Sequence, residues 1–132
     1  YYTQDELVAT SVIARNLALV EPDQTELVAP CAACFLNLKK TDHLMAENSE
    51  MCGKIGQALS AGGLSYDPGR VKVRHLLDLL YTDVGEAELV KQAKQSLAGL
   101  RVAPYYGCQV VRPLEGFDDP EYPMKMDEMF TW

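Results

Sequence analysis

The chain has 132 residues, 48% of them hydrophobic and 23% charged. That is enough for one ordinary domain with a sizeable core, and it excludes a disordered chain. The net charge of −7 disfavours a phosphate-backbone partner, so no nucleic acid is expected; such binders carry a basic face. No apolar run approaches the roughly 18 residues of a membrane span, and no secretory pattern is evident. The cytoplasm is therefore the expected compartment. There, four cysteines point to metal or thiol chemistry before a disulfide scaffold. Both ends read as cut, with Tyr1 in place of an initiator Met and "DEMFTW" inside a helical pattern. The expectation is a piece of a longer protein.

The opening stretch "TQDELVATSVIARNLALVE" reads as a helix. Thr3 and Glu6 stand in a capping-box pattern, and Ala9, Ile13, Leu17 and Val20 form the expected buried stripe. "EPDQ" ends it. "TELVAP" is apolar enough for a buried strand. A second helix is expected from Cys31 to about Ala46, with Cys31, Cys34, Leu38 and Met45 on one side. A third, "SEMCGKIGQALSA", stops at Gly62 and Gly63. "YDPG" is a turn, and "VKVRHLLDLLY" reads as a short strand followed by helix. "EAELVKQAKQSLAG" reads as a helix with Leu89, Ala93 and Leu97 on one face and Gly99 as its stop. "LRVAPYYG" is expected to be the second buried strand. "EGFDDPEYP" is loop, and a last helix begins after Pro123.

The alternation of helix and strand predicts a layered α/β fold with a mostly parallel sheet and flanking helices. Strand, Ala-Pro and cysteine occur twice as a weak internal repeat. No long linker separates the copies, so residues 1–132 read as one compact unit.

Sites in such folds gather at the carboxyl ends of strands. Cys31 and Cys108 are both expected there. Cys31 also falls at a helix N-terminus, where free amides favour thiolate, the form that binds metal. Cys34 lies one turn on, so both sulfurs can face one ion or cluster. A single Cys-x-x-Cys leaves metal ligation, redox use and packing all open. Cys52, beside Met51, Ile55 and Leu59, reads as a buried filler. His43 reads as solvent-facing and His75 as a satisfied structural histidine. Asp118 and Asp119 read as a turn or helix cap. Tyr105 and Tyr106 either shield a bound group or pack a strand end.

"LVAPCAACFLNLKKTDHLM" and "VAPYYGCQVVRP…FDDPEYPMKMDEMF" resemble the heterodisulfide reductase B-subunit family, built from cysteine-rich CCG modules. "ARNLALVE" is similar to the helix that precedes the Cys-x-x-Cys in that family. In such a module a lone cysteine, an adjacent Cys-Cys-Gly and a Cys-x-x-Cys hold a non-cubane [4Fe-4S] cluster that reduces a disulfide. The resemblance makes Cys31 and Cys34 the closing pair of one module (about 1–60). It makes Cys108 the opening cysteine of a second (about 98–132). Cys52 matches no motif position, and no adjacent Cys-Cys-Gly is present.

The resemblance implies an iron–sulfur oxidoreductase whose cysteines are cluster ligands only in a full-length context. This chain alone is then expected to bind no intact cluster and to lack reductase activity. It implies a ferredoxin-like iron–sulfur subunit and a flavin subunit as partners, with a disulfide as substrate. Apolar surface left uncovered would favour a homo-oligomer. Two other readings stand beside it: a thiol–disulfide protein using Cys31 and Cys34, and a non-catalytic interaction module.

Overall fold

The computed structural model describes residues 5–22, 25–95, 98–114 and 116–132. Helix α1 spans Glu6–Val20. Its first turn is capped by Asp5, whose Oδ1 accepts from the Val8 amide at 3.1 Å, which satisfies a donor the helix leaves free. Thr3 of the expected capping box lies outside the described residues. The stripe that sinks furthest is Ala9, Thr10, Ala14, Leu17 and Ala18. Ile13 and Val20 pack only at its edge. Small side chains hold the centre because α1 lies against two other helices, α2 (Ala32–Glu47) and α3 (Ser49–Ala61). Asn48 ends α2 and caps α3, accepting from the Met51 amide at 3.0 Å. The two helices thus fold back at a single residue, and α3 stops at Gly62 and Gly63.

Strand β1 (Glu26–Ala29) pairs in parallel with β2 (Lys72–His75), and the register sets Ala29 opposite His75. After β2 come α4 (Leu76–Leu79), a π-helical turn (Leu80–Val84) and α5 (Gly85–Gln92). Two short helices follow, α6 (Cys108–Val111) and α7 (Lys125–Thr131). The core joins α1, α2, α3 and the sheet through Leu17, Phe35, Leu38, Met45, Ile55, Leu59, Tyr66 and Val71. Burying each large side chain of this kind is worth about 1.5–3 kcal/mol.

The architecture is mixed helical with a small two-stranded parallel sheet. The second expected strand is not formed. Residues 100–107 form no strand, and Leu100, Val102 and Tyr105 are exposed. The β1 partner is instead the stub at Lys72–His75. The strand count among the described residues is therefore two. The helix expected over residues 86–99 runs from Gly85 only to Gln92 and buries none of its residues. Leu97 of its expected face lies outside the described residues. No described helix is long and apolar enough to cross a membrane.

Candidate functional site

Strand β1 ends at Ala29, and Pro30 turns the chain into α2. Cys31 is the N-cap residue of that helix, with extended backbone at φ −97° and ψ 123°. Cys31 and Cys34 are both exposed, whereas Leu38 and Met45 further along α2 are buried. The helix therefore packs by its middle and presents its thiols at its start.

Cys31 closes no side-chain cap bond of the kind Asp5 makes, as sulfur is a weak acceptor. Its surroundings still favour the thiolate. The Cys34 amide, then the Cys34 thiol and the Ala33 amide, hold the Cys31 pKa below the ordinary thiol value. Cys34 is pushed the other way, chiefly because its thiol hydrogen-bonds to the Cys31 sulfur. The two thiols are thus shifted apart, with Cys31 lowered and Cys34 raised.

His75 ends β2, next to this turn. It is 6% exposed, and Phe35 of α2 meets its ring edge-on at 5.5 Å between centroids. Its Nδ1 accepts from the Leu77 amide at 3.3 Å and so caps α4. Its Nε2 is buried without a hydrogen-bond partner. Burial holds its pKa below the ordinary value, and the Pro30 carbonyl partly opposes that effect. His75 is thus structural as expected but not satisfied, because Nε2 is left without a partner.

The neighbouring Arg74 is a feature missed in the sequence. It is 7% exposed and donates to Asp78 at 2.7 Å, to Asp83 at 2.7 and 2.9 Å, and to Thr82 at 2.6 Å. Asp83 first, then Asp78, holds the guanidinium pKa above its ordinary value. Arg74 in turn holds the Asp83 carboxyl below the usual range. The i,i+4 spacing of Arg74 and Asp78 was a visible signal; Asp83 lies beyond that spacing, in the π-helical turn, and carried none. A cleft of about 660 Å³ opens beside these residues, lined among others by Phe35, Lys39, Asp42, Arg74, His75 and Phe117.

Cys108 is exposed and opens α6 after Gly107. It was expected at the carboxyl end of a strand, but residues 100–107 directly before it form none. Helix α6 packs on α2. Among the described residues, however, no three Cys, His, Asp or Glu side chains gather where they could hold a metal ion. Cys31 and Cys34 come together; Cys108 does not join them. Cys52 is half-buried at the core edge. His43 pairs with Glu47 at 3.2 Å on the surface of α2.

The aspartates and one tyrosine serve the last helix. Asp118 accepts from the Met124 and Lys125 amides at 2.8 and 2.6 Å. Asp119 accepts from Glu121 and Tyr122, and the Tyr122 amide leads in lowering its pKa. The Tyr106 hydroxyl accepts from the Met126 amide at 2.7 Å and donates to Asp127 at 2.8 Å. Tyr105 is 87% exposed.

Paired exposed thiols at a helix start, one acidified by the other, are suited to ligating a soft metal or to thiol–disulfide exchange. As a test for an iron–sulfur cluster, the pair fits two ligand positions. About four thiolates are normally required, and the described residues do not assemble them.

Comparison with known proteins narrows the class. No protein-family model matches the chain. A heterodisulfide reductase B-subunit-like protein of Archaeoglobus profundus is 37% identical over 111 residues, covering 84% of this chain and 37% of that protein. The B-subunit of the ferredoxin:CoB-CoM heterodisulfide reductase of Methanosarcina mazei is 25% identical over 127 residues, covering 95% of this chain and 42% of that one. The 8-methylmenaquinol:fumarate reductase membrane anchor subunit of Wolinella succinogenes is 31% identical over 125 residues, covering 93% and 42%. The chain belongs to the heterodisulfide reductase B-subunit family. It spans 37% and 42% of the length of these relatives.

Proposed function

We propose that this chain supplies cluster-ligating cysteines to an iron–sulfur subunit that passes electrons to a disulfide substrate. Cys31 and Cys34 serve as the closing Cys-x-x-Cys of one cysteine-rich CCG module, about residues 1–60. Cys108 serves as the opening cysteine of a second, about 98–132. The two-stranded sheet and its helices belong, on this reading, to a layered α/β unit. The observation that carries the proposal is the Cys31–Cys34 pair, exposed at the start of α2, with the Cys31 pKa lowered by the Cys34 amide, the Cys34 thiol and the Ala33 amide.

Cys31 and Cys34 would hold one edge of a [4Fe-4S] cluster, and Cys108 would contribute to another site. When bound, such a cluster supplies one-electron transfer to the disulfide. The protein's own part is to present two thiolates at fixed spacing on a rigid helix end. A ferredoxin-like subunit and a flavin subunit are the proposed electron-donating partners, and the cytoplasm the proposed compartment. The isolated chain is proposed to hold no intact cluster.

The test is iron and acid-labile sulfide per chain, with the EPR spectrum, on protein purified without oxygen. The chain alone should hold well under four irons. Set in place of the matching stretch of the Archaeoglobus profundus relative, it should support cluster formation, and Cys31→Ser or Cys34→Ser should reduce iron and alter the spectrum. Unchanged iron and spectrum in the double variant would overturn the ligand assignment. A full cluster on the isolated chain would overturn the split-module arrangement.

The opposed shifts of Cys31 and Cys34 also favour a second reading. Cys31 thiolate would attack a disulfide, and Cys34 would displace the second thiol, leaving the pair oxidised. A reversible Cys31–Cys34 disulfide, with no iron uptake in the chimaera, would select it.

A further inference from the structure

The sulfurs of Cys31 and Cys34 stand on one short turn, and something must hold that turn still if two thiolates are to meet one ion. Ala29 pairs in register with His75, so the histidine lies level with the last residue before Pro30. The ring is buried and wedged edge-on against Phe35, one residue past Cys34. Its Nδ1 is an acceptor, because the Leu77 amide donates to it. In a neutral imidazole the proton then sits on Nε2. That N–H is buried and closes no hydrogen bond of ordinary geometry. The Pro30 carbonyl is the backbone acceptor acting on the ring. Buried donors without partners are rare in folded proteins. A leftover donor on a ring level with Ala29, and within the influence of the Pro30 carbonyl, is placed to tighten when that turn is pulled into shape.

We propose that His75 is a positioning residue for the Cys31–Cys34 ligand pair: its Nε2–H engages the Pro30 carbonyl and fixes the turn that carries both thiolates. The inference rests on the reading of Cys31 and Cys34 as metal ligands and adds a residue to it. Outer-shell hydrogen bonds of this kind typically change metal affinity by about 10–100-fold.

Two substitutions separate the roles of the two ring nitrogens. An asparagine amide stands where Nδ1 stands, so His75→Asn keeps a cap for α4 but falls short of Pro30. A glutamine amide reaches where Nε2 stands, so His75→Gln keeps the donor. The probe is Cd²⁺, titrated into the reduced 132-residue chain and followed by thiolate-to-metal charge-transfer absorbance, with circular dichroism and Tm as controls. Wild type should bind one Cd²⁺, and Cys31→Ser with Cys34→Ser should abolish it. His75→Asn should weaken binding by about tenfold, and His75→Gln should restore it to within about threefold of wild type. Equal affinity in wild type and His75→Asn would overturn the positioning role while leaving the ligand reading intact, as would a loss in His75→Gln matching that in His75→Asn. Failure of wild type to bind Cd²⁺ through the pair would overturn the ligand reading and the inference together.

Discussion

Gly116 is where the segment after α6 presses on that helix. The Phe117 amide donates to the Val110 carbonyl at 3.0 Å, and this contact leaves no room for a side chain. A Cβ at 116 would lie 1.9 Å from the Val110 oxygen and 2.8 Å from its carbonyl carbon. Both atoms are backbone, so no rotamer change relieves the overlap, and the two segments must part by about an ångström to reach ordinary contact distance. In Gly116→Ala that movement breaks the Phe117–Val110 hydrogen bond, worth about 1 kcal/mol. It also lifts Phe117, 1% exposed, away from Tyr81, and overpacking of this kind typically costs about 1–3 kcal/mol. The expected loss is about 2–4 kcal/mol in all, read as a lower urea midpoint at unchanged slope. Alkylation of Cys108, which opens α6, should change in rate, with Cys31 as the unaffected control. Gly56→Ala in α3 is the contrasting variant, since nothing lies within 4 Å of its Cβ position. It should be neutral or stabilising by up to about 1 kcal/mol. A Gly116→Ala protein within about 0.5 kcal/mol of wild type would refute the close approach at Val110.

Ile55 of α3, fully buried in the core that α3 shares with α1 and α2, should cost about 2–5 kcal/mol when cut to alanine, measured by urea unfolding. Cys31 should label with iodoacetamide at lower pH than Cys34, because the first is lowered and the second raised; mass spectrometry of the two peptides across pH reads the order, and simultaneous labelling would refute it. The Asp83 carboxyl is depressed by Arg74, so its stabilisation is present above the free carboxylate pKa of about 4 and is lost as pH falls below it. Asp83→Asn should therefore flatten the acid limb of the stability profile. Tyr66, buried and donating to Asp42 at 2.6 Å, has its phenol pushed above the usual range by burial and then by Asp42. Its contribution is present below the free tyrosine pKa of about 10 and lost at higher pH; an ultraviolet titration should show a late-ionising phenol that Tyr66→Phe removes.

The helices were legible wherever a local rule governs them. The period of Leu17 and its neighbours, the stop at Gly62 and Gly63, and the cap role of Asp118 and Asp119 all depend on residues within a few positions. The turn from Pro30 into Cys31, and with it the pairing of Cys31 with Cys34, is local in the same way. Residues 100–107 misled because their pattern repeats that of 27–31, and a strand needs a partner the pattern does not name. Leu100 remains 66% exposed and Val102 47%, while β1 takes the shorter Lys72–His75.

The main helices, the placement of two thiols at a helix start and the resemblance to a reductase subunit family were thus written into the order of residues. Folding in three dimensions settled the rest: which segment pairs with β1, that His75 lies level with Ala29 and edge-on to Phe35, that Arg74 gathers Asp78 and Asp83, and that Gly116 seats against Val110. The reason is physical. Caps, periodicity and turn preferences act within about four residues, whereas strand pairing, buried polar partners and close backbone approach are settled by packing between segments that have no local sign of one another.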